Sequence, residues 1–259
     1  MKQPNQMKRF KDQIIIVTGA GSGIGLEMVR QLLKSQALVL AADINTSALE
    51  ELSHSNLKSI PCDVSEKGYA KRLIESCKIW KGDPDYFFAN AGFALYGPQE
   101  SLSAEAIENM WKVNYHAPIE AANAMESTTP AAQTVITCSA MAFWGLAGYA
   151  QYSATKAALH SFVDVYRQEG GRHIQLIFPV ATATQFFSAS SKSTPVEWPL
   201  QKVKPMVKNT LASVARGSQN IFPYRPFALY LVLNRFLGFI KPVARSLSRS
   251  RFQSFKKEG

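Results

Sequence analysis

The chain has 259 residues, of which 46% are hydrophobic and 19% are charged. This composition excludes a disordered chain, and the length suits one large α/β domain that buries its own core. No run of about 18 apolar residues occurs, which excludes a conventional membrane-spanning helix.

The net charge of +10 is concentrated in the last third of the chain. Residues 171–259 contain 14 Lys and Arg residues against only Glu197 and Glu258. Two interpretations stay open, a solvated basic tail and a surface that meets an anionic partner such as a membrane or nucleic acid.

The cysteines and the start of the chain indicate the compartment. Cys62, Cys77 and Cys138 form neither a metal-ligand spacing nor an even disulfide framework, as expected in a reducing environment. No apolar stretch precedes Ile14, so no secretory signal is predicted. We therefore expect a cytoplasmic protein that binds no metal.

Short apolar runs alternate with helical patterns along the chain. The predicted buried strands are residues 14–19, 37–43, 57–63, 85–92, 133–139 and 173–179. Parallel strands need crossover helices, so this alternation predicts an α/β fold with a doubly wound, Rossmann-like parallel sheet and helices on both faces. We expect one dinucleotide-binding and catalytic domain over residues 1–226 and a basic amphipathic C-terminal extension over 227–259.

Four glycines directly follow the first predicted strand, at Gly19, Gly21, Gly23 and Gly25. In a doubly wound sheet the first strand-to-helix turn faces the pyrophosphate of a dinucleotide. Gly19 would permit the tight turn, Gly23 the close approach of phosphate, and Gly25 the packing of the helix, whose N-terminus offers N–H donors. The loop alone reveals no chemistry.

Motifs in the order of one family follow the glycine loop over residues 10–185. They are TGAGSGIG (18–25), Asp63 in CDV, ANAG (89–92), Asn114 in KVNYHAP, Ser139, YSATK (152–156) and FPVATAT (178–184). Together they resemble the short-chain dehydrogenase/reductase family, with Ala89 in place of an Asn and Val180 in place of a Gly. The resemblance implies an oxidoreductase that acts on CH–OH and C=O groups with NAD(P).

Tyr152 and Lys156 lie four residues apart on a predicted helix, so their side chains share a face. A phenol titrates near 10, and a neighbouring ammonium together with an oxidised nicotinamide would lower that pKa. Tyr152 is therefore a candidate general acid/base. The resemblance implies that Ser139 binds the substrate oxygen, Lys156 also holds the nicotinamide ribose, and Asn114 positions a water that relays protons.

The resemblance also implies a cofactor-binding set. Its members are Gly19, Ser22, Gly23, Ile24, Gly25, Asp43, Asp63, Val64, Asn90, Ala91, Gly92, Tyr152, Lys156, Pro179 and Thr184. Asp43 ends the second strand, where an acid binds both ribose hydroxyls of NAD and repels the 2′-phosphate of NADP. Neither Ile44 nor Ser22 offers that phosphate a positive charge. NAD is favoured, with NADP as the alternative.

Aromatic residues dominate the segments expected around the substrate. They are Phe93, Tyr96, Phe143, Trp144, Tyr149, Phe186, Phe187 and Trp198, about half of which we expect to pack into the core. They favour a small apolar, including lipid-like, secondary alcohol or ketone as substrate. The Ser/Thr/Pro-rich segment 184–208 is the predicted substrate lid.

Residues 227–257 repeat apolar and basic positions at helical spacing, interrupted by Pro242. Three partners stay open for this segment: a membrane interface, the chain's own pocket, or a second subunit. Membrane-surface contact is slightly favoured, and a nucleic-acid partner is disfavoured because the apolar stripe is continuous. The family resemblance implies a homo-oligomer, either a dimer or a tetramer.

Two rival functions remain besides the oxidoreductase. One is a non-catalytic dinucleotide-binding protein that acts as a redox sensor or scaffold. The other is an isomerase or epimerase that uses bound NAD transiently, although only about 75 residues follow Thr184 to form a larger substrate domain. The presence of Ser139, Tyr152, Lys156 and Asn114 together favours the oxidoreductase.

Overall fold

The computed structural model describes residues 9–171, 173–184, 186, 199–237, 249 and 253. The strands are β1 (Ile14–Thr18), β2 (Leu38–Asp43), β3 (Leu57–Pro61), β4 (Tyr86–Ala89), β5 (Gln133–Thr137), β6 (Ile174–Ile177) and β7 (Asn220–Ile221). The helices are α1 (Gly23–Lys34), α2 (Ser47–Glu50), α3 (Tyr69–Trp80), α4 (Ala104–Trp111), α5 (Ala117–Thr128), α6 (Ala150–Gln168), α7 (Val203–Ala215) and α8 (Arg225–Leu237). A π-helical turn, Lys112–His116, joins α4 to α5.

The seven strands form one parallel sheet in the order β3-β2-β1-β4-β5-β6-β7. The order reverses between β1 and β4, which leaves a crevice beyond the carboxyl ends of these two strands. The predicted doubly wound fold is confirmed. The seventh strand was not predicted from the sequence, because a two-residue strand carries no apolar run.

Side chains that alternate along each strand build two core layers. In β1, Ile15 and Val17 join the layer beneath α1 and α7, whereas Ile16 joins the layer beneath α3, α5 and α6. All three are fully buried. Burial on both faces explains why the strand is a continuous apolar run, as parallel strands require. These layers hold the strand ends that carry the site.

Two segments after residue 198 join the main body of the molecule. Helix α7 begins inside the predicted lid, so the lid's last residues, 203–208, are helical, and Met206 and Val207 are buried in the core. Helix α8 contains the start of the predicted C-terminal extension, and its Phe227 is also buried. The other lid residues 185 and 187–198 lie outside the described residues, as does nearly all of 238–259. Among the described helices, none combines the length and the apolar character needed to traverse a bilayer.

Candidate active site

The glycine loop joins β1 to α1 at the crevice, where two of its glycines have left-handed backbone conformations. Gly19 has φ +63° and Gly23 has φ +51°, values that favour glycine. A Cβ at Gly25 would overlap the carbonyl oxygen of Gly19, so α1 begins pressed against the loop. The first N–H groups of α1 therefore point toward the crevice and form an anion-binding helix N-terminus.

Asn90 holds the carboxyl ends of three strands together. Its Nδ2 donates to the carbonyl oxygens of Thr18 and Gly19, both at 3.2 Å. Its Oδ1 accepts from the Thr137 hydroxyl at 3.1 Å. Because β1, β4 and β5 meet at this amide, the glycine loop and the strand that precedes Ser139 have a common anchor.

Ser139 and Tyr152 come together from different elements. Ser139 follows β5 by two residues and caps the short 3₁₀ turn Ala140–Ala142, its Oγ accepting from the N–H of Met141 at 3.1 Å. Tyr152 lies in the first turn of α6, and its hydroxyl is near enough to the Ser139 side chain for Ser139 to lower its pKa. Two hydroxyls therefore lie side by side at the wall of the crevice.

Burial raises the pKa of Tyr152 above its usual value, and the hydrogen bond from Ser139 acts in the opposite direction. The Nζ of Lys156, the ammonium expected to lower this pKa together with an oxidised nicotinamide, lies 5.8 Å from the centre of the Tyr152 ring. It donates to the carbonyl oxygen of Thr137 at 3.0 Å. Burial lowers the pKa of Lys156 itself to about 8, so at neutral pH most of it stays charged.

Asn114 lies on the π-helical turn and is fully buried. Its Nδ2 donates to the carbonyl oxygen of Phe93 at 2.8 Å, and its Oδ1 accepts from the N–H of Phe93 at 3.0 Å. A Cβ added at Gly92 would lie 3.0 Å from Asn114 Oδ1 and 3.6 Å from Lys156 Nζ. The missing side chain of Gly92 thus leaves a gap that both polar groups border.

Asp43 lies at the end of β2 beside the glycine loop. Its Oδ2 accepts from the N–H of Gly21 at 2.8 Å, and its Oδ1 accepts from the N–H of Asn45 at 3.0 Å. Each carboxylate oxygen keeps a free lone pair for a ligand hydroxyl. The neighbouring Ile44 is 77% exposed.

A cleft of about 760 Å³ runs from the glycine loop to Tyr152. Most of the predicted site residues line it: Gly19, Ser22, Gly23, Ile24, Asp43, Asp63, Val64, Asn90, Ala91, Gly92, Ser139, Tyr152, Lys156, Pro179 and Thr184. Gly25 and Asn114 do not line it, because Gly25 packs α1 against the loop and Asn114 lies behind Phe93. Both positions support the cleft from behind.

The predicted aromatic residues divide between the cleft and the core. Phe93, Trp144 and Phe186 line the cleft, whereas Tyr96 and Tyr149 are buried in the cluster beside Tyr152. Phe143 packs on Phe178, with ring centres 5.0 Å apart. Phe187 and Trp198 lie outside the described residues.

Several cleft residues were not predicted as individual site residues from the sequence. They are Ile44, Cys62, Asn109, Val113, Thr137, Cys138, Met141, Leu146, Val180, Ala181, Thr182, Pro199 and Phe227. Thr137 and Cys138 directly precede Ser139 at the end of β5, so strand alternation could have placed one of them at the cleft. Phe227 lies 75 residues after Tyr152, and no local pattern places it there.

The cleft fits a nicotinamide dinucleotide on three observations. The N-terminus of α1 and the glycine loop suit the pyrophosphate, the Asp43 carboxylate suits a ribose, and the Lys156 ammonium suits a second ribose beside Tyr152. Groups of His, Cys, Asp and Glu arranged to hold a metal ion are absent from the part of the chain that the structure describes.

Comparison with known proteins places these features in a family. The family model for the short chain dehydrogenase matches residues 13–194. The uncharacterized oxidoreductase YxnA of Bacillus subtilis is 28% identical over 180 residues, which are 65% of this chain and 50% of that protein. Human epidermal retinol dehydrogenase 2 is 24% identical over 247 residues, 89% of this chain and 79% of that protein.

A solved structure has the same fold. A short-chain dehydrogenase/reductase from Burkholderia phymatum, in complex with NAD, matches with a TM-score of 0.76 and 18% identity, covering 88% of this chain and 94% of that one. The chain belongs to the short-chain dehydrogenase family. It is an oxidoreductase that acts on CH–OH and C=O groups, as the sequence predicted.

Proposed function

We propose that this short-chain dehydrogenase interconverts an apolar, including lipid-like, secondary alcohol and its ketone, with Tyr152 as the general acid/base. The observation that carries the proposal is that Ser139 and Tyr152 line one continuous cleft with the glycine loop, near enough for Ser139 to lower the pKa of the Tyr152 phenol. Two adjacent hydroxyls can both reach one substrate oxygen. That arrangement suits proton transfer to or from an alcohol oxygen.

Ser139 and Tyr152 have different roles at the substrate oxygen: Ser139 donates a hydrogen bond and Tyr152 transfers the proton. A nicotinamide cofactor, when bound, would provide the hydride chemistry at the substrate carbon. In ketone reduction, Ser139 donates a hydrogen bond to the carbonyl oxygen and Tyr152 gives its proton to that oxygen as negative charge develops. In alcohol oxidation, Tyr152 begins as a phenolate, which a hydrogen bond from Ser139 stabilises, and becomes a neutral phenol when it accepts the hydroxyl proton.

Lys156 and Asn114 are proposed to connect Tyr152 to solvent protons. Asn114 Oδ1 and Lys156 Nζ both border the gap left by Gly92, which is polar enough to hold a water with two partners. A water there would exchange protons with the Lys156 ammonium. A pKa of about 8 suits Lys156 to such exchange near neutral pH.

NAD is the proposed cofactor, in preference to NADP. The charged residues that line the described part of the cleft are Asp43, Asp63 and Lys156. The two acids lie on the β2 and β3 side of the sheet, away from Lys156. A 2′-phosphate beside Asp43 would meet a like charge without a compensating cation. Fluorescence titration with NADH and NADPH tests this proposal. NADH should bind at least tenfold more tightly, about 1.4 kcal/mol, and a preference for NADPH would overturn the assignment of Asp43.

The Tyr152→Phe variant tests the reaction. The ring is kept and only the hydroxyl is lost, so turnover of secondary alcohols and ketones should be abolished while NADH affinity stays unchanged. Wild-type protein that binds NADH but turns over no alcohol or ketone would support the rival non-catalytic sensor. Turnover that survives in Tyr152→Phe would refute the role of Tyr152.

A homo-oligomer is proposed as the assembly of this protein. Partly exposed rings follow one another across the π-helical turn and α6, with centres of Tyr115 and Phe162 at 6.4 Å and of Phe162 and Tyr166 at 5.6 Å. Val165 beside them is 50% exposed. Such a row of half-buried aromatic rings suits a subunit interface. Light scattering should give the mass of a dimer or tetramer, and a monomer would contradict the proposal.

Peripheral contact with an anionic membrane through residues 227–257 is also proposed. The outer face of α8 exposes Leu229 at 59% and Val232 at 60%, and no acidic residue occurs between Glu197 and Glu258. Apolar and basic groups together favour an anionic lipid surface. The protein should sediment with phosphatidylserine-containing vesicles and not with pure phosphatidylcholine vesicles.

Replacing both exposed residues, Leu229→Asn and Val232→Asn, should weaken that vesicle binding. The matched control is Ile79→Asn on α3, because Ile79 is an apolar residue on another helix that is even more exposed, at 86%. Equal loss of binding in both variants would contradict a specific role of α8.

A further inference from the structure

The inner face of α8 reaches the cleft through Phe227. Phe227, in the first turn of this helix, is 6% exposed and is one of the residues that line the cleft. Its ring packs against Phe222 and Phe143, with centres 6.2 Å and 6.3 Å away. Phe222 in turn stacks at 5.0 Å on Phe178, which is fully buried after β6. The position of Phe227 is therefore tied to the core.

A stack of three rings continues from Phe227 to the loop that follows Ser139. The Phe227 and Tyr230 rings lie 5.8 Å apart with an interplanar angle of 23°, and the Tyr230 and Trp144 rings lie 5.1 Å apart at 26°. We call these three residues the aromatic wall. Trp144 and Phe227 line the cleft and Tyr230 does not, so Tyr230 stands between the other two and positions them. Near-parallel rings at these separations attract one another beyond their burial.

The aromatic wall belongs to the same cleft as the reacting groups. Trp144 follows Ser139 by five residues, and the N–H groups of Phe143 and Trp144 both donate to the carbonyl oxygen of Ala140, at 3.0 Å and 3.2 Å. A chain coiled in this way rises by about 2 Å per residue, so Trp144 is displaced by at most about 10 Å from Ser139. One extended substrate can therefore reach the wall and the reacting groups together.

The cleft beside Tyr152 is lined by apolar side chains. Met141, Leu146 and Phe186 line the cleft and cluster with Tyr152, and the Phe186 ring lies 5.8 Å from that of Tyr152. The acids of the cleft, Asp43 and Asp63, belong to the glycine-loop end. A substrate group that binds in this part of the cleft therefore loses its water without gaining a charged partner. This favours a hydrocarbon group and disfavours a carboxylate or a phosphate.

We propose that the aromatic wall completes the substrate pocket and selects alcohols and ketones that carry an extended apolar group. This inference rests on the proposed function and names its substrate class. Phe227 and Trp144 contact the distal hydrocarbon, and Tyr230 is a positioning residue that acts through Trp144. Only a substrate long enough to reach the wall gains these contacts, so truncating the wall affects long substrates and spares short ones.

A series of 2-ketones from 2-butanone to 2-dodecanone, reduced with NADH, tests the proposal. In the wild-type protein kcat/KM should rise with chain length. In Tyr230→Ala, kcat/KM for 2-dodecanone should fall at least tenfold through KM, while 2-butanone stays within about twofold. Tyr230→Phe keeps the ring and should restore the wild-type profile. Tyr230 is only half-buried, so this position tolerates truncation better than the buried Phe227.

A substitution at a second position of the wall and one at a distant surface position distinguish selection of long substrates from a general loss of activity. Phe227→Leu keeps an apolar side chain in the core but removes the flat ring, and it should flatten the chain-length profile in the same direction. Ile79→Ala removes an exposed apolar side chain on α3 and should leave the profile unchanged. A loss that is uniform over all chain lengths, or no loss at all, overturns the proposal.

Binding of 2-decanone, measured by calorimetry without turnover, keeps the two proposals distinguishable. If the wild type binds 2-decanone and Tyr230→Ala binds it at least tenfold more weakly, the role of the aromatic wall is supported. This holds even if no ketone is reduced, in which case only the proposed reaction fails. If both proteins bind 2-decanone equally, or neither binds it, the wall does not select hydrocarbon.

Discussion

Removing the Ser139 hydroxyl should both slow the reaction and shift its pH dependence. In Ser139→Ala the substrate oxygen loses one donor, and the Tyr152 phenolate loses the hydrogen bond that opposes the effect of burial on its pKa. A hydrogen bond to a charged group contributes about 1.5–3 kcal/mol. We therefore expect kcat/KM to fall by about 10- to 150-fold.

The direction of the pH shift follows from the protonation state that each reaction needs. Alcohol oxidation needs the deprotonated phenol of Tyr152 as proton acceptor. Without the Ser139 donor the phenolate is less stable, so the pKa of Tyr152 rises further and the rising limb of the oxidation profile moves to higher pH. Stopped-flow or steady-state rates of NADH formation between pH 6 and pH 11 would measure the displacement.

Stability measurements separate this effect from misfolding. The Ser139 Oγ caps the turn that follows β5, so its loss should cost about 1 kcal/mol of unfolding free energy. A protein of this size would lose about 2–4 °C in Tm. Ser139→Thr keeps a hydroxyl and is the matched control. An unchanged rate and an unchanged pH profile in Ser139→Ala would refute the role assigned to the Ser139–Tyr152 pair.

Three further substitutions test the surrounding residues. Because burial lowers the pKa of Lys156 from 10.5 to about 8, the unfolded chain binds more protons between these values, and stability should rise with pH over that window. Lys156→Met should remove this rise and increase the unfolding free energy at pH 7 by up to about 3 kcal/mol, as measured by urea denaturation. Turnover should be lost in this variant. A variant that is less stable than the wild type at pH 7 would contradict the burial argument. Gly92→Ala should fill the gap beside Asn114 and lower kcat by about tenfold, with partial rescue by imidazole buffer, and a normal kcat would exclude a proton path through this gap. Asp43→Asn removes the charge but keeps an acceptor for the Gly21 N–H, so NADPH affinity should rise about tenfold relative to NADH affinity in the fluorescence titration. An unchanged ratio of the two affinities would show that Asp43 does not discriminate between NAD and NADP.

Features that depend on neighbours in the sequence could be predicted well. The apolar runs locate the first six strands, although residues 85–92 were expected as one strand and β4 ends at Ala89. After Ala89 the chain leaves the strand, and the side-chain amide of Asn90 hydrogen-bonds to the ends of both β1 and β5. The glycines of the first turn also follow from local geometry, because left-handed φ values at Gly19 and Gly23 are requirements of the turn itself.

Features set by contacts between distant segments could not be predicted. The spacing of Tyr152 and Lys156 predicted that their side chains share a face. The fold adds that Lys156 donates to the carbonyl oxygen of Thr137 and that Ser139 lowers the pKa of Tyr152. Helical spacing determines which side chains share a face. Which of them contact each other, and how much water they keep, is decided by the strand packed against the helix.

The sequence by itself determined the order of strands and helices, the glycine loop and the family, since each of these is written in residues close together along the chain. Only the tertiary structure decided which residues enclose the cleft. The amphipathic pattern after residue 226 left three partners open, and the fold alone shows Phe227 buried against Phe143 and Phe222 at the cleft wall. The physical reason is that burial is a property of surfaces that meet after folding, and an amphipathic helix carries the same pattern whichever apolar surface covers it.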